Sequence, residues 1–166
     1  MEIDGSTVHE GSQYLTFDLL GERYAVEVAQ VEVVLESSVV TRVPKSPPHL
    51  CGVINHRGSV IPVVDLKVIF GAAEEKAQTD SSIIVAQVDF EGERLTAGIL
   101  ADAVEEVVDL DRDSVEPAPT FGSRIDGAFI KGIAKRDDRF VIILDLERAL
   151  SGASAGMNDS RSTDRD

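Results

Sequence analysis

The stretch Gly52-Val53-Ile54-Asn55-His56-Arg57-Gly58-Ser59-Val60-Ile61-Pro62-Val63-Val64-Asp65-Leu66 returns eighty residues later in altered form. There it reads Gly132-Ile133-Ala134-Lys135-Arg136-Asp137-Asp138-Arg139-Phe140-Val141-Ile142-Ile143-Leu144-Asp145-Leu146. Each copy has a glycine and an apolar pair, then a polar turn, then an apolar run that ends in Asp-Leu. An internal repeat changes the fold question before any local reading begins. Upstream, Gly21-Glu22-Arg23 recurs as Gly92-Glu93-Arg94 at an offset of 71, and Val31-Glu32-Val33-Val34 is echoed near Val104 to Val108 at about 73. Pro44 and Pro117 keep that last offset, so the step to 80 falls in an extended loop between Thr120 and Gly127. The chain reads as two related units of about seventy residues.

Strand signals dominate both units. Tyr14 to Leu19 and Arg23 to Val28 flank a Gly21-Glu22 turn and predict a hairpin. Val31 to Leu35 and Ser38 to Val43 predict further strands, the second stopped by Pro44-Lys45-Ser46-Pro47-Pro48, whose prolines fix a surface loop. Leu50 to Asn55 and Ser59 to Asp65 predict a second hairpin, with Pro62 implying an edge or a bulge. Leu66 to Phe70 predicts a short helix with a glycine stop. The second unit repeats the scheme through Ser82–Phe90, Arg94–Leu100, Val104–Asp109, Ala128–Ala134, Arg139–Leu144 and a short helix at Leu146–Leu150. Many short strands with polar turns predict an all-β fold of two small antiparallel barrels packed together. The expected division is a flexible segment 1–13, one lobe over about 14–70, a second over about 82–150, and a disordered tail 151–166. Exchange of elements between the halves stays open.

The composition narrows the function classes. A formal charge of −14, with sixteen basic residues scattered among thirty acidic ones, argues against nucleic-acid partners and anionic membrane surfaces. No apolar run approaches the roughly 20 residues of a bilayer span, and residues 1–6 lack the pattern of a signal peptide. One cysteine, Cys51, forms no internal disulfide and suits a cytoplasmic location. His9, His49 and His56 are too dispersed for a metal site. Phosphate-binding loops and nucleophile elbows are absent from the sequence. Neither an enzyme nor a cofactor is expected. Asp65 and Asp145, each ending a strand before Leu, read as caps. The turn at Arg57 keeps two readings: a hairpin loop shaped by Asn55 and Gly58 with Arg57 solvated, or a rigid turn presenting Arg57 for recognition of carboxylates or carbonyls.

These residues resemble the CheW-like chemotaxis adaptor family. The resemblance rests on Tyr14 to Phe17 with Gly21, on Val31, Val34 and Leu35, and on Thr41-Arg42-Val43-Pro44. It continues through Gly52 to Gly58, Val60 to Leu66, Gly98 to Val108 and Gly132 to Leu146, covering essentially the whole body from 14 to 150. It implies two SH3-like barrels with a groove between them, no catalytic activity, and two partners: a CheA-type histidine kinase and the cytoplasmic tip of a methyl-accepting chemotaxis receptor. Carried over by position, Asn55 and Arg57 fall on the receptor side, with Val31, Val33, Ala103 and Val104 lining or bordering the groove. Arg42, Val43, Pro44 and Lys45 fall on the kinase side. Two departures stand out, His56 where the family often has Leu and Val33 where it often has Glu, and they favour a partner set from another chemosensory pathway. A kinase regulatory domain detached from its parent is the alternative. Tails at both ends, with Met1 at the start, and the lack of a kinase motif favour an independent adaptor, recruited from the cytoplasm to receptor arrays.

Overall fold

The computed structural model describes residues 13–36, 38–70, 82–117 and 129–151. Eleven strands succeed one another: β1 (Gln13–Leu19), β2 (Glu22–Glu27), β3 (Val31–Glu36), β4 (Leu50–His56), β5 (Ser59–Val64), β6 (Ser82–Phe90), β7 (Glu93–Ala101), β8 (Ala103–Asp109), β9 (Val115–Glu116), β10 (Ile130–Arg136) and β11 (Arg139–Leu144). A short helix α1 (Leu66–Ile69) follows β5, and residues 146–151 are helical after β11. The expected linker between the halves, the loop from Thr120 to Gly127 and the tails lie outside the described residues, except that Gln13 opens β1 and Ser151 continues the last helix.

Two sheets result, of order β8-β1-β2-β11-β10-β9 and β3-β6-β7-β5-β4. They are built alike. Beyond β4, the Thr41–Val53 bridge stands where β9 stands against β10. The all-β, two-unit fold is the one expected, with one addition: each sheet contains a parallel pair, β2 with β11 and β5 with β7.

The sequence boundary between about 14–70 and 82–150 is not a boundary between sheets. Hairpin β1–β2 of the first unit joins β8–β11 of the second, and hairpin β6–β7 of the second joins β3–β5 of the first. The halves therefore complete each other. Register also explains the drifting offset of the repeat. Leu15 pairs with Val26 as Ile84 pairs with Ile99, offsets of 69 and 73, so 71 at the turn is their midpoint. Two extra residues on each strand carry the β6–β7 tip further out.

Local sequence sets the turns. All four hairpin tips hold two residues at positive φ: Leu20-Gly21, Arg57-Gly58, Glu91-Gly92 and Asp137-Asp138. This is the mirror-image turn whose twist matches the flanking strands. Asp65 Oδ1 accepts from the Lys67 amide at 2.9 Å and Asp145 Oδ1 from the Arg148 amide at 3.2 Å, which confirms both as caps.

Two local expectations fail. Residues 38–43 form a single bridge rather than a strand, because this segment crosses over Gly52 and then meets Pro44. Pro62 is on an interior strand, paired with Val53, and the ladder to β7 begins only at Val63.

The main core lies between the sheets. It combines Leu15, Phe17, Leu19, Tyr24 and Val26 with Val64, Ile84, Ala86, Val88 and Ile99, closed by Leu66, Phe70, Leu144, Leu146 and Leu150. Phe17, Tyr24, Phe70 and Phe129 form a chain of rings with centroids 5.9–6.0 Å apart. Smaller clusters fill each sheet's own interior, around Ala25, Val141 and Ile143 in one and Ile54, Val63 and Val85 in the other.

Candidate docking surfaces

The β4–β5 hairpin presents Asn55 and Arg57 by a mechanism visible in the sequence. Asn55 Oδ1 accepts from the Gly58 amide at 3.0 Å, bracing the two-residue turn. Arg57 sits at φ 54° on the tip and is exposed. It makes no hydrogen bond or ion pair with the described residues. Asn55 is thus a turn-building residue and Arg57 a free guanidinium on a rigid mount. Beside them Val60 is 71% exposed, and it pairs across the hairpin with Asn55. Sequence reasoning missed Val60. The repeat carried a signal for it, because the equivalent Phe140 is also a large apolar side chain and is 67% exposed.

The structure splits the expected groove residues. Val31 and Val104 are half-buried and pack against the inter-sheet core from edge strands β3 and β8. Ala103, exposed, begins β8 opposite Asp18. Val33 belongs elsewhere. A bulge lies between Val31 and Val33, and it turns Val33 into the five-stranded sheet's own interior with Leu35, Val40 and Cys51. In the order of that sheet, β3 and β4 are the two outer strands, so Val31 and Arg57 are not ladder neighbours.

Arg42, Val43, Pro44 and Lys45 form an exposed loop. Lys45 takes φ 60° in the turn after Pro44, the Ser46 hydroxyl donates to the Val43 carbonyl at 2.8 Å, and the Leu50 amide donates to the Pro47 carbonyl at 3.0 Å. Val39 is 82% exposed and Val43 38% exposed on the same segment, which makes the loop apolar as well as basic.

The electrostatics are local. Burial, aided by Asp65, raises the Cys51 thiol to about 11 against the opposing charges of Lys67 and Arg42. Burial alone would lower the Lys131 ammonium, but its ion pair with Glu27 at 2.5 Å outweighs that and leaves it raised. Among the described residues no group of His, Cys, Asp or Glu could hold a metal ion, and no helix is long and apolar enough to cross a membrane.

Comparison with known proteins agrees with this architecture. Residues 13–154 match the family described as CheW-like domain. The chain is 30% identical to the chemotaxis protein CheW of Klebsiella aerogenes over 159 residues, covering 96% of this chain and 92% of that protein. It is 32% identical to the chemotaxis protein CheW of Thermotoga maritima, covering 83% and 87%. The crystal structure of the scaffolding protein TtCheW from Thermoanaerobacter tengcongensis superposes with a TM-score of 0.73 at 37% identity, covering 84% of this chain and 87% of that one. A two-sheet β fold with interlocked halves, a family match over residues 13–154 and relatives covered over most of their own length place this chain in the CheW-like family.

Proposed function

We propose that this chain is a non-enzymatic adaptor that couples methyl-accepting chemotaxis receptors to a CheA-type histidine kinase, acting in the cytoplasm at receptor arrays. The observation that carries the reading is the free Arg57 guanidinium on its braced turn. The sister turn presents Asp137 and Asp138 instead, so the fold itself does not require arginine there. A planar donor fork held clear of its own carboxylates suits recognition of carboxylates or backbone carbonyls on a receptor tip. Asn55 supports that contact by fixing the turn. Val31, Ala103 and Val104 supply the border of the inter-sheet surface, and Val33 acts behind it through packing. The exposed apolar and basic loop of Arg42, Val43, Pro44 and Lys45 serves the kinase.

The test compares two equivalent positions. Arg57→Ala is expected to weaken binding to a receptor cytoplasmic fragment at least about tenfold, the loss of a central interface anchor. Asp137→Ala is expected to change it by less than about twofold, and both variants should melt within a few degrees of the parent, as exposed substitutions do. Equal small effects at the two positions would remove Arg57 from the receptor site.

A further inference from the structure

One end of the six-stranded sheet carries five charged side chains in a staggered row: Arg23 is in register with Val141 on β11, so Arg139 and Arg136 lie one side-chain step beyond it, towards the hairpin tips. Glu105, Asp18, Arg23, Arg139 and Arg136 come from β8, β1, β2, β11 and β10, which are consecutive in the sheet. Alternation along the strands puts Asp18, Arg23, Arg139 and Arg136 on the face of Tyr14, Ala25, Val141 and Ala134, the sheet's own core. Asp18 is opposite Arg23, and Arg136 is opposite Arg139. Arg23 lies between the carboxylates, with Nε 3.8 Å from Asp18 Oδ1 and Nη2 3.9 Å from Glu105 Oε1. Arg136 and Arg139 have no ion-pair partner among the described residues.

We propose that Arg23, Arg139 and Arg136 form an oxyanion-binding site at this end of the six-stranded sheet, taking one carboxylate or phosphate group. Three observations support it. Like charges directly across a strand pair repel, so the Arg136–Arg139 pair is unfavourable until an anion joins it. Four buried side-chain polar atoms among the described residues lack a hydrogen-bond partner: Arg23 Nε, Arg136 Nε and Asp18 Oδ1 belong to this row, and the fourth, His56 Nε2, takes the place of Arg136 in the sister sheet. The two carboxylates compete with each other: the protonated Glu105 donates a hydrogen bond to Asp18, and this with the Asp18 charge raises the Glu105 carboxyl, against the pull of Arg23 and Arg139.

The sister sheet is an internal control. Its equivalent row reads Glu32, Gln87, Thr96, Ser59 and His56, with Gln87 Nε2 donating to Glu32 Oε1 at 3.2 Å. The outermost glutamate is kept, Asp18 is replaced by Gln87, and all three arginines are replaced. The fold therefore does not need them. A guanidinium cluster in a chain of charge −14 that its own duplicate lacks is a feature with a ligand chemistry of its own. Planar forks match carboxylate and phosphate oxygens, and charge-assisted bonds to them are short and strong. The group has two possible sources, a free small anion or an acidic side chain of a protein partner.

The test uses the full chain and a double variant, Arg136→His with Arg139→Ser, which installs the residues of the sister sheet. Inorganic phosphate and acetate are titrated against chloride at constant ionic strength while the arginine Nε–Hε resonances are followed by NMR. Affinities for a receptor cytoplasmic fragment and for a kinase regulatory domain are measured in parallel, with melting in chloride as the check on folding. The expected result is saturable shifts of the Arg23, Arg136 and Arg139 resonances with an affinity at least about tenfold weaker in the variant, or a similar loss of affinity for one protein partner. Shifts without a partner effect identify a free anion, and a partner effect without shifts identifies an acidic side chain. If neither anion moves these resonances beyond chloride and both partner affinities stay within about twofold, the site does not exist.

Discussion

The backbone of Thr41 crosses Gly52 so closely that a β-carbon on Gly52 would lie 2.2 Å from the Thr41 carbonyl oxygen and 2.8 Å from its carbon. Thr41 and Val53 exchange both backbone hydrogen bonds at 2.8 Å, so the crossing segment cannot withdraw without losing them. The same contact recurs in the second unit, where a β-carbon on Gly132 would meet Val115 Cγ1 at 2.5 Å and the Glu116 oxygen at 3.0 Å. This is why a glycine opens each copy of the repeat.

The two glycines should respond unequally to alanine. At Gly52 the obstacle is backbone, which shifts only with the whole segment, so Gly52→Ala should cost about 3 kcal/mol, the upper end of ordinary overpacking. At Gly132 the nearest atom is a side-chain methyl that can rotate, and about 1 kcal/mol is expected. Urea unfolding midpoints decide the order. A larger loss at Gly132 would show that the Thr41 segment is loosely held.

Cys51 should be a slow nucleophile. With the thiol raised to about 11 by burial and by Asp65, the thiolate at pH 8 is about a hundredfold scarcer than in the unfolded chain. Iodoacetamide should accordingly label the folded protein at least about a hundredfold more slowly than the denatured one. The sign of the linkage follows. The neutral thiol's contribution is intact below the unfolded pKa and is lost as pH rises through the folded value, so alkaline conditions should destabilise the parent more than Cys51→Ser. Equal labelling rates in the two states would contradict the burial.

Much of this fold was legible because strand formation is local. The hairpins around Gly21, Arg57 and Gly92, the short helices and the caps at Asp65 and Asp145 follow from alternation, turn residues and side-chain oxygens. The exchange of hairpins was not legible, since residues as far apart as Leu15 and Val107 pair through a choice among similar surfaces. Nothing in the order of residues announces that choice. The site divided in the same way. Arg57 stood out by type and position, while Val33 was carried onto the groove by its position in the family pattern, and the bulge at Glu32 turns it to the other face. Arg136 and Arg139 read as ordinary turn charges until the sheet order brought them to the same end of one sheet as Arg23.

Glu105 gives a pH prediction. Its carboxyl is raised by the hydrogen bond that its protonated form donates to Asp18 and by the Asp18 charge, with Arg23 and Arg139 opposing. A carboxyl whose folded pKa is raised contributes stability that is full below the ordinary glutamate range and is lost as pH rises through the folded value. Glu105→Gln keeps the neutral form at every pH and copies the amide–carboxylate pairing of Gln87 with Glu32. Its melting temperature should therefore equal the parent's in acid and exceed it near neutrality. A parent that is the more stable near pH 7 would show that attraction to Arg23 dominates instead.

Interlocked halves make a last prediction about assembly. A chain cut between residues 70 and 82 yields a first fragment with β3, β4 and β5 but no β6–β7 hairpin, and a second with β8 to β11 but no β1–β2. Each fragment lacks the central strands of its sheet. Each also lacks one wall of the inter-sheet core, because Phe17 and Tyr24 come from the first and Ile84 and Ile99 from the second. Neither fragment alone should show a cooperative transition, since a unit of this size buries too little apolar surface without them. Mixed in equal amounts they should regain the β-sheet circular dichroism and a single melting transition that depends on concentration. Independent cooperative unfolding of the first fragment would mean that β1 to β5 suffice for a stable unit, and the reciprocal exchange would lose its energetic meaning.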